Sequence, residues 1–190
     1  MDLVFKDIAG WDETGKKLDI AVNMSAAALV EVSLPEKLES RCKACGISND
    51  VISIEMTESM LDRNLVDSLE VLTRLRMRAL GLSLDDFGTG YSSLERLKRI
   101  PFDELKIDGS FVRGANTDPA AKAIFESSVS LGRQLNMTIV AEGVETREDW
   151  IRSRELGCDV VQGFFVAHPM SAADFQTWLR NWRGFDSPNL

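Results

Sequence analysis

Leu84-Asp85-Asp86-Phe87-Gly88-Thr89-Gly90-Tyr91-Ser92-Ser93 decides how this chain is read. The apolar run from Leu80 to Leu84 ahead of it reads as a buried strand, delivering two adjacent carboxylates at its end. A glycine-punctuated loop then turns into a helix expected to begin near Ser92. Neighbouring side chains on a strand point to opposite faces, so Asp85 and Asp86 cannot both be core residues of a regular strand. At the strand's last residues both can reach one polar site, and carboxylate oxygens are the ligands that Mg²⁺ or Mn²⁺ prefers. Taken alone, Asp-Asp-Phe-Gly serves equally well as a solvated turn with N-capping aspartates. Similar strand ends recurring along the chain weigh against that.

Working outward, Leu18 to Met24 reads as a strand ending at Asn23 and Ser25, and Val51 to Ile54 as a strand delivering Glu55, Thr57 and Glu58. Glu104 to Ile107 carries Lys106 and leads to Asp108. Met137 to Ala141 ends in Glu142-Gly143-Val144-Glu145, and Val160-Val161 leads into Gln162-Gly163. Helices fill the intervals. One follows Pro35 and runs to Gly46, with Pro suited to the first helical turn. Another covers Leu61 to Leu80, with Leu61, Leu65, Leu69 and Leu72 on one face and Gly81 as its stop. Asp118-Pro119 opens a helix to Leu135, and Thr146 with Asp149 has capping-box spacing. Ser171 opens a last helix, expected to be buried through Phe175, Trp178 and Trp182. Val4, Ile8 and Trp11 share a helical face, and a turn around Gly15 separates them from the first strand.

Strand and helix thus alternate about six times with short connections, the grammar of a parallel α/β fold. Asn23, Glu55, Asp85, Asp86, Lys106, Glu142 and Gln162 all sit at or near strand ends. A doubly wound sheet would gather only those at its switch point. A (β/α)₈ barrel gathers them all at one mouth, so it accounts for more of them.

With 190 residues, 44% of them hydrophobic, the chain can bury a sizeable core as one domain over 1–185, with 186–190 a frayed tail. A net charge of −8 argues against a nucleic-acid polymer or an anionic membrane as the main partner. No apolar run is long enough to span a membrane. Cys42, Cys45 and Cys158 leave an odd count, which suits a reducing, cytoplasmic setting. Cys42-Lys43-Ala44-Cys45 lacks the second pair or histidines of a zinc site and reads as two cysteines on the apolar side of a helix.

Six motifs, in order, resemble those of the EAL-domain family: Val22-Asn23-Met24-Ser25-Ala26, Ile54-Glu55-Met56-Thr57-Glu58-Ser59, Asp85-Asp86-Phe87-Gly88-Thr89-Gly90, Leu105-Lys106-Ile107-Asp108, Ala141-Glu142-Gly143-Val144-Glu145-Thr146 and Gln162-Gly163. That family comprises bacterial phosphodiesterases that linearise cyclic di-GMP on a TIM-like barrel with two divalent metals. The resemblance implies that Asn23, Glu55, Asp85 and Asp86 hold Mg²⁺ or Mn²⁺, Asp85 bridging two ions. It makes Glu142, Lys106 and Asp86 catalytic: Lys106 orients the attacking water or offsets phosphate charge, and Glu142 assists as base or ligand. Gln162, Glu145 and Asp108 would line or support the substrate site. Glu58 would hold the loop containing Gly88, Thr89 and Gly90, which couples to the metals and to a dimer surface, so a homodimer is among the expectations. Two metals also relieve the mutual repulsion of clustered carboxylates.

The departures from the family pattern matter too. The 190 residues contain no Glu-Ala-Leu, the tripeptide whose glutamate would be a further ligand and which a substrate-binding arginine follows. A full barrel typically needs about 250 residues. The expected fold is therefore a TIM-like barrel incomplete at its N-terminus, with about six parallel strands. His168 stands before Pro169 where the family more often has Arg or Lys, and reads as a packing residue or as a support behind the site's ligands. Three functions fit: a cyclic di-GMP phosphodiesterase, a non-catalytic cyclic di-GMP-binding or protein-interaction module derived from one, or an unrelated metal-dependent barrel enzyme.

Overall fold

The computed structural model describes Phe5, Asp7, Ile8 and residues 18–62, 65–90, 94–182 and 184–185. Among these, six parallel strands form one sheet in chain order: β1 (Ile20–Asn23), β2 (Ile52–Thr57), β3 (Gly81–Phe87), β4 (Glu104–Ile107), β5 (Thr138–Ala141) and β6 (Val160–Val161). Parallel neighbours need crossover connections. These are supplied by helices α1 (Leu34–Cys45), α2 (Leu65–Met77), α3 (Leu94–Arg99), α4 (Gly109–Gly114), α5 (Pro119–Gln134) and α6 (Arg147–Leu156), with α7 (Ala172–Asn181) following β6. Sequential parallel pairing with helical crossovers makes a curled half-barrel, the incomplete TIM-like barrel that the sequence implies.

The strand register explains why the sheet has two chemistries. Asn23 pairs with Glu55, Glu55 with Ser83, Ser83 with Glu104, and Glu104 with Thr138. Paired residues of parallel strands share a face, so this row makes one face polar across five strands. The alternate positions Ile54, Leu82, Leu84, Leu105 and Ile139 face the other way and are buried in the core. The larger core cluster joins β1–β4 to α1 and α2, and a smaller one joins β4–β6 to α4, α5 and α6. Phe5 and Ile8 are helical and buried in the larger cluster. Val4, Trp11, the turn at Gly15, Ser92 and the tail 186–190 lie outside the described residues.

Most helix ends follow their sequence signals. Asp118 accepts from Ala120 N ahead of Pro119, and Thr146 with Asp149 forms a complete capping box. Gly46 ends α1 with φ 68°, and Ile47 N donates back to Cys42 O at 2.9 Å. Cys42 is buried and Cys45 half-buried on that helix, both free.

Two helices differ from expectation. The segment expected as one helix from Leu61 to Leu80 is a 3₁₀ turn over Glu58–Asp62 followed by α2. The side chains of Leu61 and Leu65 lie outside the described ones, while Leu72 is buried and Leu69 partly so. Gly81 is not the stop. It opens β3, and the reversal falls on Ala79 at φ 61°, with Leu80 N donating to Leu75 O at 3.2 Å. In α7, Leu179 is the buried residue. Phe175, Trp178 and Trp182 are half-buried and stack on one another, with centroids 5.8 and 5.0 Å apart.

No helix of the described residues is long and apolar enough to cross a membrane. Because an alanine carries a steric penalty in the left-handed region that glycine escapes, Ala79→Gly should stabilise the chain by roughly 0.5–1 kcal/mol. A urea-unfolding midpoint that falls would contradict this.

Candidate active site

The site is built on an irregularity between β3 and β4. Leu84 pairs with Leu105 and Phe87 with Ile107, so Asp85 and Asp86 together stand opposite Lys106. Two residues against one is a β-bulge, which bends the strand and re-aims side chains. Asp86 takes φ 56°, a left-handed conformation uncommon outside glycine. The adjacent aspartates, barred from one face of a regular strand, thereby turn carboxylates toward the same place.

Lys106 sits at the centre, with only 4% of its surface exposed. Its Nζ lies 2.6 Å from Glu55 Oε1, 2.7 Å from Glu142 Oε1 and 3.2 Å from Asp85 Oδ1. These partners come from the end of β2, from just after β5 and from the bulge. Glu142 is fixed there by its N–H, which donates to Ile107 O at 3.1 Å. Burial alone would lower the Lys106 pKa, but the hydrogen bonds and charges of Glu142 and Glu55 outweigh it, so the ammonium is held above its usual range. Burial pushes Glu142 up to about 7; the charges of Asp85 and Asp86 add to this, and Lys106 opposes it. Asp86 is raised by burial and by the charges of Asp85 and Asp108.

Ligand oxygens of Asp85, Asp86 and Glu142 all lie within 4.8 Å of one another. Asp85 Oδ1 is buried and makes no hydrogen bond among the described residues, since its contact with Lys106 has ion-pair distance without hydrogen-bond geometry. An orphaned buried oxygen among clustered carboxylates, an all-oxygen donor set, suits a hard divalent cation. Of the residues expected to bind metal, Asp85 and Asp86 thus meet, joined by Glu142. Glu55 reaches the same lysine, and Asn23 lies beside it in register at the end of β1.

The loop after β3 is tethered on two sides. Thr89 Oγ1 donates to Asp86 O at 2.9 Å, and Gly90 N donates to Glu58 Oε2 at 3.3 Å. Glu58 is buried, and its Oε1 has no hydrogen-bond partner among the described residues. A Cβ on Gly88 (φ 99°) would lie 2.8 Å from the Phe111 ring, so glycine is required there.

The remaining expected residues lie further out. Asp108 caps α4 by accepting from Ser110 N at 2.9 Å and from the Ser110 hydroxyl. Glu145 is exposed and pairs with Arg113 at 3.3 Å. Gln162 is exposed and lines a groove of about 810 Å³ with Asp19, Phe164, His168 and Trp178. His168 stacks on Phe164 with centroids 4.4 Å apart.

Glu104 was not singled out from the sequence. It accepts from Ser83 Oγ at 2.7 Å, and burial raises its pKa. Its position two residues before Lys106 places both on one strand face, and that period was the available signal.

Carboxylates and one lysine at the carboxyl ends of parallel strands form the mouth of a barrel enzyme's scaffold. The sequence profile of the EAL domain matches residues 1–169, and the chain belongs to that family. The cyclic di-GMP phosphodiesterase RocR of Pseudomonas aeruginosa is 37% identical over 163 residues, 86% of this chain and 42% of RocR. A solved structure of the PaMucR phosphodiesterase in complex with c-di-GMP superposes with a TM-score of 0.86 at 38% identity, covering 92% of this chain and 71% of that one. Klebsiella pneumoniae BlrP1, solved as a manganese/cy-diGMP complex, gives 0.81 at 32% identity over 87% of this chain and 42% of its own. The chain spans about a fifth to two fifths of the length of the curated relatives it matches.

The raised Glu142 gives a pH dependence of definite sign. A carboxyl with an ordinary pKa of 4.5 and a folded value of about 7 keeps its proton in the folded chain where the unfolded chain has released it. Its contribution to stability is therefore lost as pH rises through that interval. In chelating buffer, urea midpoints should fall between pH 5 and 8, and Glu142→Gln should flatten the fall. An unchanged slope would contradict the assignment.

Proposed function

We propose that this chain hydrolyses cyclic di-GMP to linear pGpG at the mouth formed by Asn23, Glu55, Asp85, Asp86, Lys106 and Glu142, acting as a bacterial cytoplasmic signalling domain spanning 1–185. The observation carrying this reading is the lysine ringed by Glu55, Asp85 and Glu142, beside the trio of carboxylates within 4.8 Å. Asn23, Glu55, Asp85 and Asp86 would hold Mg²⁺ or Mn²⁺, which would supply an acidified water and positive charge for phosphoryl oxygens.

The chain's own residues do the rest. Glu142, beside Asp85 and Asp86, assists as the base for the attacking water or as a further ligand. The Lys106 ammonium stays charged throughout and offsets the charge that builds on the phosphate. Water oxygen bonds to phosphorus, the ester bond to one ribose oxygen breaks, and that oxygen takes up a proton equivalent to the one the water gave up. Gln162 on the rim offers an amide to the nucleotide. Glu58 holds Gly90, and through it the loop that follows the two aspartates.

A second reading is a module that binds cyclic di-GMP without turnover. It is favoured by the absence of Glu-Ala-Leu from the 190 residues, which leaves one carboxylate and one arginine of the family pattern without counterparts here. Chromatography of the products formed with Mn²⁺ separates the two. Turnover to pGpG that falls by about 10²-fold or more in Asp85→Ala supports the phosphodiesterase, whereas binding without pGpG supports the module. Two lost charge-assisted contacts of roughly 1.5–3 kcal/mol each correspond to about 10²–10⁴ in rate. A version preceded by a family segment carrying Glu-Ala-Leu and its arginine should therefore be faster by that factor. Equal rates would remove the role given to that segment.

A further inference from the structure

The Lys106 ammonium has three N–H donors, and each of its three short contacts among the described residues is a carboxylate: Glu55, Glu142 and Asp85. Two of these, Asp85 and Glu142, also belong to the trio whose oxygens lie within 4.8 Å. The lysine and a divalent cation therefore draw on the same oxygens. The lysine stem has little freedom to withdraw. It stands mid-strand on β4 between Leu105 and Ile107, both fully buried, with Glu104 below it on the same face.

We propose that Lys106 is a built-in competitor of the divalent cation, a fixed counter-charge that weakens cation binding while holding the carboxylates together. The inference rests on the reading that Mg²⁺ or Mn²⁺ binds here, and it concerns how tightly. Two effects act in one direction. A buried ammonium close to a divalent ion repels it with little solvent screening. The same ammonium neutralises Glu55, Asp85 and Glu142, which would otherwise repel one another and be relieved by a cation. Asp86 and Glu104, both acidic, also interact with its charge. Removing the lysine charge should therefore tighten cation binding and loosen the fold when the cation is withheld. A lysine that merely shaped the site would have the opposite effect on affinity.

The test is a Mn²⁺ titration of the chelator-stripped 190-residue chain, read by the electron paramagnetic resonance of the free ion, with thermal unfolding in chelator alongside. Lys106→Met should bind Mn²⁺ tighter by about tenfold or more, and should melt at a lower temperature in chelator with a larger upward shift on adding Mn²⁺. Lys106→Gln, which keeps an N–H donor without charge, should show the same tightening if Lys106→Met fails to fold. Lys106→Arg keeps the charge and should stay near the parent affinity. Equal or weaker Mn²⁺ binding in both uncharged variants overturns the proposal while leaving the cation site standing. Failure of parent and variants alike to bind Mn²⁺ at millimolar concentration overturns the cation site and the proposal with it.

Discussion

Two residues of β3 stand opposite one residue of β4, and the mouth of the sheet depends on that mismatch. Without the bulge, Asp85 and Asp86 would alternate, one facing the polar side and the other driven among the helices beside Leu84 and Phe87. The left-handed backbone of Asp86 carries the cost, on the order of 1–3 kcal/mol for a residue of this type. What offsets it is local: Thr89 bonds Asp86 O, and the buried flanks Leu84 and Phe87 stay anchored in the core. The strain is thus held by neighbours on both sides rather than by the carboxylates themselves, which repel one another.

The same sheet solves a second problem, that of placing several carboxylates beneath a low-solvent surface. The polar row from Asn23 through Glu55, Ser83 and Glu104 to Thr138 is supported by one hydrogen bond, Ser83 to Glu104, and by the charge of Lys106. Burying an unpaired carboxylate costs far more than burying a paired one. The lysine on the fourth of six strands has partners from β2, β3 and the end of β5, so one cation serves three acids. Its raised pKa records that outcome: the attraction of Glu142 and Glu55 exceeds the penalty of burial.

The strand ends were legible because alternation and motif order both mark them. Period-2 placement put Asn23, Glu55, Asp85, Lys106 and Glu142 at carboxyl ends, and parallel pairing brought those ends to one side. The bulge was half legible, since adjacent aspartates demanded some break in regularity without saying which. The stop after α2 was misplaced at Gly81 because glycine is the usual reversal, whereas here the reversal falls on Ala79, between the buried Leu75 and Leu80 whose backbones are hydrogen-bonded across it. The aromatics of α7 looked like core by hydrophobicity. They stack on one another along a partly exposed ridge, and only Leu179 reaches the interior. Glu104 escaped notice because a lone glutamate on a strand reads as solvated until its register with Ser83 is known.

The loop after β3 shows how the site's parts are mechanically joined. Thr89 is bonded to the backbone of Asp86, and Gly90, one residue on, to the side chain of Glu58 at the end of β2. Gly88 between them and the bulge has no room for a side chain against Phe111 of α4. Asp86 therefore cannot rotate out of its left-handed conformation without moving Thr89, and Thr89 cannot move far without pulling Gly90 from Glu58. Among the described residues Glu58 keeps one buried oxygen without a hydrogen bond, so the tether has spare acceptor capacity. The conformation of one strained aspartate and the seating of the loop are consequently a single structural variable, shared between β2, β3 and α4.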